Sequence, residues 1–138
     1  MKHLILMLEY DEDDQYITHQ YFKEHSDSIE ISIVTTSEEV ISYLLECKQG
    51  NKRYPSLLLL NYNSTPMNAT ELISKVKSDP ALRHIPAVVL SGTVVSGIVK
   101  DCYAHGASSF IQKPTLSEDT NRKIGTFIKY WFQSVELP

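Results

Sequence analysis

The sequence predicts an α/β fold in which helices wrap both faces of an open, doubly wound, five-stranded parallel sheet. Three observations carry this. Leu4-Ile5-Leu6-Met7-Leu8, Leu57-Leu58-Leu59-Leu60 and Ala87-Val88-Val89-Leu90 are short, wholly apolar runs, the pattern of parallel strands covered on both faces. Apolar residues at helical spacing fill the stretches between them. Strand and helix patterns alternate as β-α five times, which implies crossover helices on either side of one sheet.

Each element has its own signal. Ile29, Ile31 and Ile33 alternate with Glu30 and Ser32, so the second strand is expected at an edge. Phe110-Ile111-Gln112 is a shorter fifth strand. The first helix, roughly residues 13–24, has the thinnest apolar face, Ile17 and Tyr21 with Tyr16 and Phe22 nearby. Thr36 with Glu39 reads as a capping box ahead of Val40, Ile41, Leu44 and Leu45. Asn68 with Glu71 starts a third helix carrying Leu72, Ile73 and Val76. Asp79-Pro80 ends it, because a residue before proline is pushed out of the helical region. Val95, Ile98, Val99 and Cys102 form the stripe of a fourth helix, with Gly106 as its C-terminal cap. Thr115 with Glu118 caps the last, whose face is Ile124, Phe127, Ile128, Trp131 and Val135.

Composition narrows the function classes. The 138 residues suit one domain. At 42% hydrophobic and 22% charged they suit a globular one. A net charge of −4 argues against a nucleic-acid surface. No apolar run approaches the about 20 residues of a membrane span, and Lys2-His3 leads into no signal peptide. Cys47 and Cys102 are too few and too far apart for a disulfide framework or a zinc site. Free thiols in a cytoplasmic protein are the expectation. No linker or repeat divides the chain, and the last helix takes up most of the chain beyond Lys113. One domain over residues 1–138 without an output domain is expected.

In an open α/β sheet, sites form beyond the carboxyl ends of the strands. Glu9, Tyr10 and Asp11 follow strand one, and Asn61, Tyr62 and Asn63 follow strand three. Ser91, Gly92 and Thr93 follow strand four, and Lys113 and Pro114 follow strand five. Oxygen ligands of this kind suit a hard cation such as Mg²⁺, and a lysine with a hydroxyl suits a phosphoryl group. Plainer readings stand beside these. Glu9 and Asp11 suit the N-terminal end of a helix, Asn61 and Ser91 suit turns, and Phe110 suits a core. Gly92-Thr93-Val94-Val95-Ser96-Gly97 has the glycines of a phosphate loop, but Ile98-Val99 stand where Lys and Ser/Thr are required.

Together these segments resemble the receiver domains of two-component response regulators. The match runs in order. Residues 8–14, Leu-Glu-Tyr-Asp-Glu-Asp-Asp, are similar to the family's acidic loop, and residues 57–63 to the strand bearing its phospho-accepting aspartate. Val88-Val89-Leu90-Ser91-Gly92 is similar to the strand ending in the switch Ser/Thr. Gly106-Ala107 with Phe110-Ile111-Gln112-Lys113-Pro114 is similar to the segment of switch aromatic, lysine and proline. The resemblance implies a flavodoxin-like (βα)5 sheet of strand order 2-1-3-4-5. It also implies a switch at Ser91 and Phe110, a phosphate-contacting Lys113, and a cis bond before Pro114. Metal ligands would be Glu9, Asp11 and the backbone of Asn63.

The departures are as informative. Asn61 stands at the phospho-acceptor position, and a carboxamide has no ionised oxygen to attack phosphorus. Tyr10 replaces the second acid of the first loop and is a poor Mg²⁺ ligand. Thr65 takes the place of the family's proline, Pro66 follows, and Ala69 replaces a glycine. Mg²⁺ affinity is expected to be weak, and Lys113 is expected to pair with Glu9 or Asp11.

The resemblance therefore implies a stand-alone, atypical receiver and not an enzyme. It would bind a histidine kinase, a phosphotransfer protein or another regulator, with little or no aspartyl phosphorylation. Homodimerisation would use the face of helix four, strand five and helix five. The alternative is an altered receiver still switched by non-covalent Mg²⁺ or phosphate, or by phosphorylation elsewhere. An enzyme or flavin carrier on the same fold is disfavoured, because acids stand where a phosphate-cradling loop would follow strand one. Residues 78–86 and the aromatic last helix are similar to free-standing bacterial receivers found beside phytochrome-type and hybrid sensor kinases.

Overall fold

A computed structural model describes residues 2–113 and 118–138. Five parallel strands form one sheet in the order β2-β1-β3-β4-β5. They are β1 (His3–Leu8), β2 (Ile29–Val34), β3 (Leu57–Asn61), β4 (Ala87–Ser91) and β5 (Ser109–Gln112). The helices are α1 (Glu12–His25), α2 (Ser37–Lys48), α3 (Ala69–Lys77), α4 (Ser96–Ala104) and α5 (Glu118–Ile128). The expected fold class and strand order are both present, with β2 at one edge and the short β5 at the other.

Period-two alternation splits the core into two layers. Leu6, Leu8, Leu58, Leu60, Ala87 and Val89 face α2, α3 and α4. Ile5, Met7, Leu57, Leu59, Val88 and Leu90 face Phe22 of α1 and Ile124, Phe127 and Ile128 of α5. Both layers exclude water, which is why the central strands have no polar face.

Caps fix where the helices begin. Asn68 and Glu71 form a complete capping box on α3. Thr36 accepts from the Glu39 amide, but Glu39 answers through the Thr35 and Thr36 hydroxyls, not through the Thr36 amide. Gly106 lies just past α4 at φ +113°, where a Cβ would also meet Lys77 Cγ at 2.9 Å. The expected cap is therefore required twice, by backbone handedness and by close approach.

Three expected helix faces shift. In α1 the buried residues are Thr18 and Phe22, one position on from Ile17 and Tyr21, which are half-buried. In α4 Cys102 is buried, Ile98 and Val99 are half-buried, and Val95 is an exposed N-cap. After Ile128 the chain widens into a π-helical turn, Lys129–Ser134, so Trp131 and Val135 are half-buried. Phe132 comes in beside Trp131, and its ring lies 5.1 Å from that of His3. Tyr103 on α4 accepts a hydrogen bond from the Phe110 amide, on the side of β5 away from β4 (3.2 Å). The Thr65–Pro66 peptide is cis. Pro114, expected to be preceded by a cis bond, and the Thr115 cap lie outside the described residues.

Phe22 joins the two helices of its layer, meeting Phe127 edge-on at 5.6 Å between centroids. Phe22→Ala is expected to cost about 3–5 kcal/mol through the cavity it opens. Urea unfolding followed by circular dichroism measures this, and Ile17→Ala should cost distinctly less.

Candidate functional site

Strand ends place the site. The Glu9 amide donates to Val34 carbonyl oxygen at 3.0 Å, carrying the β1–β2 ladder one residue past β1. The Lys113 amide donates to Ser91 carbonyl oxygen at 2.8 Å, doing the same for β4 and β5. Asn61 and Ser91 are the last residues of β3 and β4. Backbone pairing thus brings Glu9, Asn61, Ser91 and Lys113 to one edge of the sheet.

Glu9 is 1% exposed, and a carboxylate so placed needs hydrogen bonds and a counter-charge. Both are present. Lys113 Nζ lies 2.8 Å from Glu9 Oε1. Asn61 Nδ2 donates to Glu9 Oε2 at 2.9 Å, and the Asp11 amide donates to the same oxygen at 3.3 Å. Gln15 Nε2 donates to the Glu9 carbonyl at 2.6 Å. Lys113 also pairs with Asp14 Oδ2 at 2.8 Å. One ammonium bridges two carboxylates, leaving one net negative charge. Burial alone would lower the Lys113 pKa, but the hydrogen bonds and charges of Asp14 and Glu9 outweigh it and raise the value above 10.5.

The expected pairing of Lys113 with Glu9 is present, and its second partner is Asp14 instead of Asp11. Asp11 is exposed and accepts from the Asp14 amide at 2.9 Å as the N-cap of α1. Tyr10 is 59% exposed and does not fill the site. The Ser91 hydroxyl donates to Thr93 carbonyl oxygen at 2.7 Å and accepts from the Thr93 amide at 3.2 Å, so it closes a turn. Phe110 is half-buried against the layer of α2, α3 and α4. The Asn63 amide donates to Asn61 Oδ1 at 3.4 Å.

Lys113 sits on Glu9 Oε1 and Asn61 and the Asp11 amide on Oε2, so a divalent cation would compete with these partners for the carboxylate. Among the described residues no group of three or more His, Cys, Asp or Glu side chains is placed to hold a metal ion. No described helix is long and apolar enough to cross a membrane.

No family model matches the chain, but individual proteins do. Response regulator Rcp1 of Synechocystis is 24% identical over 138 residues, which cover 98% of this chain and 92% of Rcp1. Response regulator ORR5 of Oryza sativa subsp. japonica is 33% identical over 73 residues, covering 53% of this chain and 54% of its own length. A probable methanogenesis regulatory protein of Methanothrix harundinacea, FilR2, is 28% identical over 91 residues, covering 66% of this chain and 59% of FilR2. Nearly the whole chain is thus similar to response-regulator receiver domains. The chain spans little more than half the length of ORR5 and FilR2. Its fold is that of the Mn(2+)-bound form of Rcp1, with TM-score 0.86, 23% identity and 99% of each chain covered. The phosphorylated cyanobacterial phytochrome response regulator RcpA has TM-score 0.89 at 23% identity, covering 100% of this chain and 99% of RcpA.

Removing the cation from this cluster leaves Glu9 buried without a counter-charge. Lys113→Met is expected to lower the unfolding free energy by about 3 kcal/mol at neutral pH. A raised lysine pKa stabilises the folded state fully below the ordinary value and ceases to as pH rises through the folded one. The gap between wild type and Lys113→Met should therefore hold steady below pH 10.5 and close above it. Urea melts across that range measure it.

Proposed function

We propose that this receiver signals through contact with protein partners, with little or no covalent phosphorylation at residue 61. The carrying observation is the direction of one hydrogen bond. Asn61 donates to Glu9 across 2.9 Å. An aspartate there would instead set two carboxylates face to face and call for a cation between them. The carboxamide supplies a donor and removes that need. It also lacks the ionised oxygen that would attack a phosphodonor. Tyr10, in the place of the family's second acid, points to water and leaves the site short of anionic ligands.

Rcp1 binds Mn²⁺ and RcpA is phosphorylated. In this receiver, binding of Mg²⁺ or a related ion would be weak, because Lys113 and Asn61 already satisfy Glu9. Partners of the proposed kind are a histidine kinase, a phosphotransfer protein or another regulator. Tyr10, Tyr16, Val94 and Val95 are exposed on the loops and first helix around the strand ends, at 59%, 66%, 56% and 47%. They give the rim an apolar character that a partner can bury. Self-association would use the face of α4, β5 and α5, where Tyr103 is exposed, as is Tyr130 in the π-helical turn that follows α5. A second reading, a receiver switched without covalent phosphate, rests on Lys113 and Glu9 remaining together at the strand ends.

The test is exposure of the purified chain to acetyl phosphate and beryllofluoride with Mg²⁺. Wild type should retain its mass and its amide NMR spectrum at Glu9, Asn61, Ser91 and Lys113. The Tyr10→Asp, Asn61→Asp double variant should lose stability without Mg²⁺, regain it with Mg²⁺, and take up phosphate. Stable phosphorylation of wild type would overturn the reading. Saturable shifts in wild type spreading from Ser91 to Phe110 would favour the second reading.

A further inference from the structure

We propose that the groove between β5 and α5 binds a small aromatic carboxylate with a second polar group at its far end, a phenolic acid by class. The groove shares no residue with the Glu9 cluster, and the proposal does not depend on the signalling role. β5 is an edge strand, so no further strand lies beside it to fill the space under the outer flank of α5. A cavity of about 590 Å³ opens there, lined by β5, α5 and the π-helical turn. Small-molecule sites commonly measure about 300–1,000 Å³.

Direction along the groove follows from the fold. β5 ends at Gln112, on the carboxyl edge of the sheet. The π-helical turn brings Phe132 against His3, which opens β1 on the opposite edge. The last helix therefore runs antiparallel to β5. Arg122 and Lys123, early in α5, belong to the Gln112 end of the groove, and Trp131 belongs to the Ser109 end. An extended strand separates Ser109 from Gln112 by about 10 Å, so an elongated ligand suits the groove.

Each part of the groove favours a different group. Asp119 stands between two cations, Arg122 Nη2 and, at 3.6 Å, Lys123 Nζ. These three side chains keep one net positive charge, and Arg122 has further N–H donors in the fork that matches a carboxylate. Trp131 meets Tyr130 edge-on at 5.2 Å and Phe127 at 6.5 Å. With Ile111 on the strand side they form walls suited to a flat ring. Ser109 lies two residues before Ile111 and so faces the same way. Its Oγ is buried and has no hydrogen-bond partner among the described residues. A buried hydroxyl without a partner costs free energy that a hydrogen bond recovers. A polar ligand atom seated against β5 supplies that bond, and the hydroxyl can turn to donate or accept it.

The full chain, labelled with ¹⁵N, is titrated with 4-hydroxycinnamate and followed by NMR. The chain has one tryptophan, so a single indole resonance reports on Trp131. The expected result is saturable shifts of that resonance and of the Ser109 and Gln112 amides. The methyl ester lacks the charge and should bind about tenfold more weakly. Cinnamate lacks the hydroxyl and should bind about fivefold more weakly. Arg122→Gln with Lys123→Gln, both exposed positions, should weaken 4-hydroxycinnamate to the level of its ester and leave the ester unchanged. Ser109→Ala gives up no bond within the described residues, and it should erase the difference between 4-hydroxycinnamate and cinnamate. Absence of saturable shifts at Trp131 would overturn the proposal, including the case in which a second copy of the chain covers the groove. So would equal binding of the ester, shifts centred on Glu9 and Lys113, or unaltered affinity in the double variant. A Ser109→Ala variant that kept the preference for the hydroxyl would overturn the part assigned to Ser109. None of these results bears on phosphodonor uptake, so the two readings fail separately.

Discussion

A carboxylate withdrawn from water must be given donors and a counter-charge, and Glu9 imposes that requirement on the whole C-terminal edge of the sheet. Its partners come from the ends of three different elements. Lys113 reaches the carboxylate from beyond β5 and Asn61 from the end of β3, while Gln15 holds the Glu9 backbone carbonyl from the first turns of α1. None of these is near another in sequence except through the parallel pairing of the strands. The sheet therefore does more than carry the site. Its register decides that an ammonium and a carboxamide arrive on opposite oxygens of one carboxylate.

The apolar layers beneath make that register hard to alter. A one-residue slip of β3 against β1 would exchange the residues facing α1 and α5 with those facing α2, α3 and α4. The two layers are not equivalent. Phe22 and Phe127 supply large rings on one side, while Ala69, Ala87 and Ala107 allow α3 and α4 to approach closely on the other. A slip would set large groups against small spaces. Strand register, and with it the meeting of Glu9, Asn61 and Lys113, is thus fixed by packing remote from the polar cluster.

Much of this was legible in the sequence, and the parts that were not have local causes. Fully apolar runs pointed to buried parallel strands, and the ends of the three central strands fell within one residue of those runs. Asn61, Glu9 and Lys113 followed from those ends. Asp14 did not, because the face of α1 was drawn through Ile17 and Tyr21. Drawn through Thr18 and Phe22, four residues apart, the same face begins at Asp14 and points it at the site. Polar Thr18 concealed the stripe. Val95 in α4 misled in the opposite way, since a β-branched apolar residue at helical spacing turned out to be an exposed cap. In the π-helical turn after Ile128, Phe132 meets His3, a contact distant in sequence that helical periodicity does not express. The positions of Tyr10 and Asp11 were also beyond sequence reasoning. Each could face inward or outward, and the hydrogen bond from the Asp14 amide turned Asp11 to capping.

The phenol of Tyr103 bears on how this sheet meets its surroundings. An edge strand leaves every second amide directed outward, available to any extended segment that drifts alongside. On β5 the Phe110 amide is already engaged by Tyr103 from the same chain. A foreign strand seeking to lengthen the sheet there would first have to evict an aromatic ring from α4. The protein thereby favours side-chain docking over strand exchange on that border, and resists the runaway stacking to which bare sheet margins are prone.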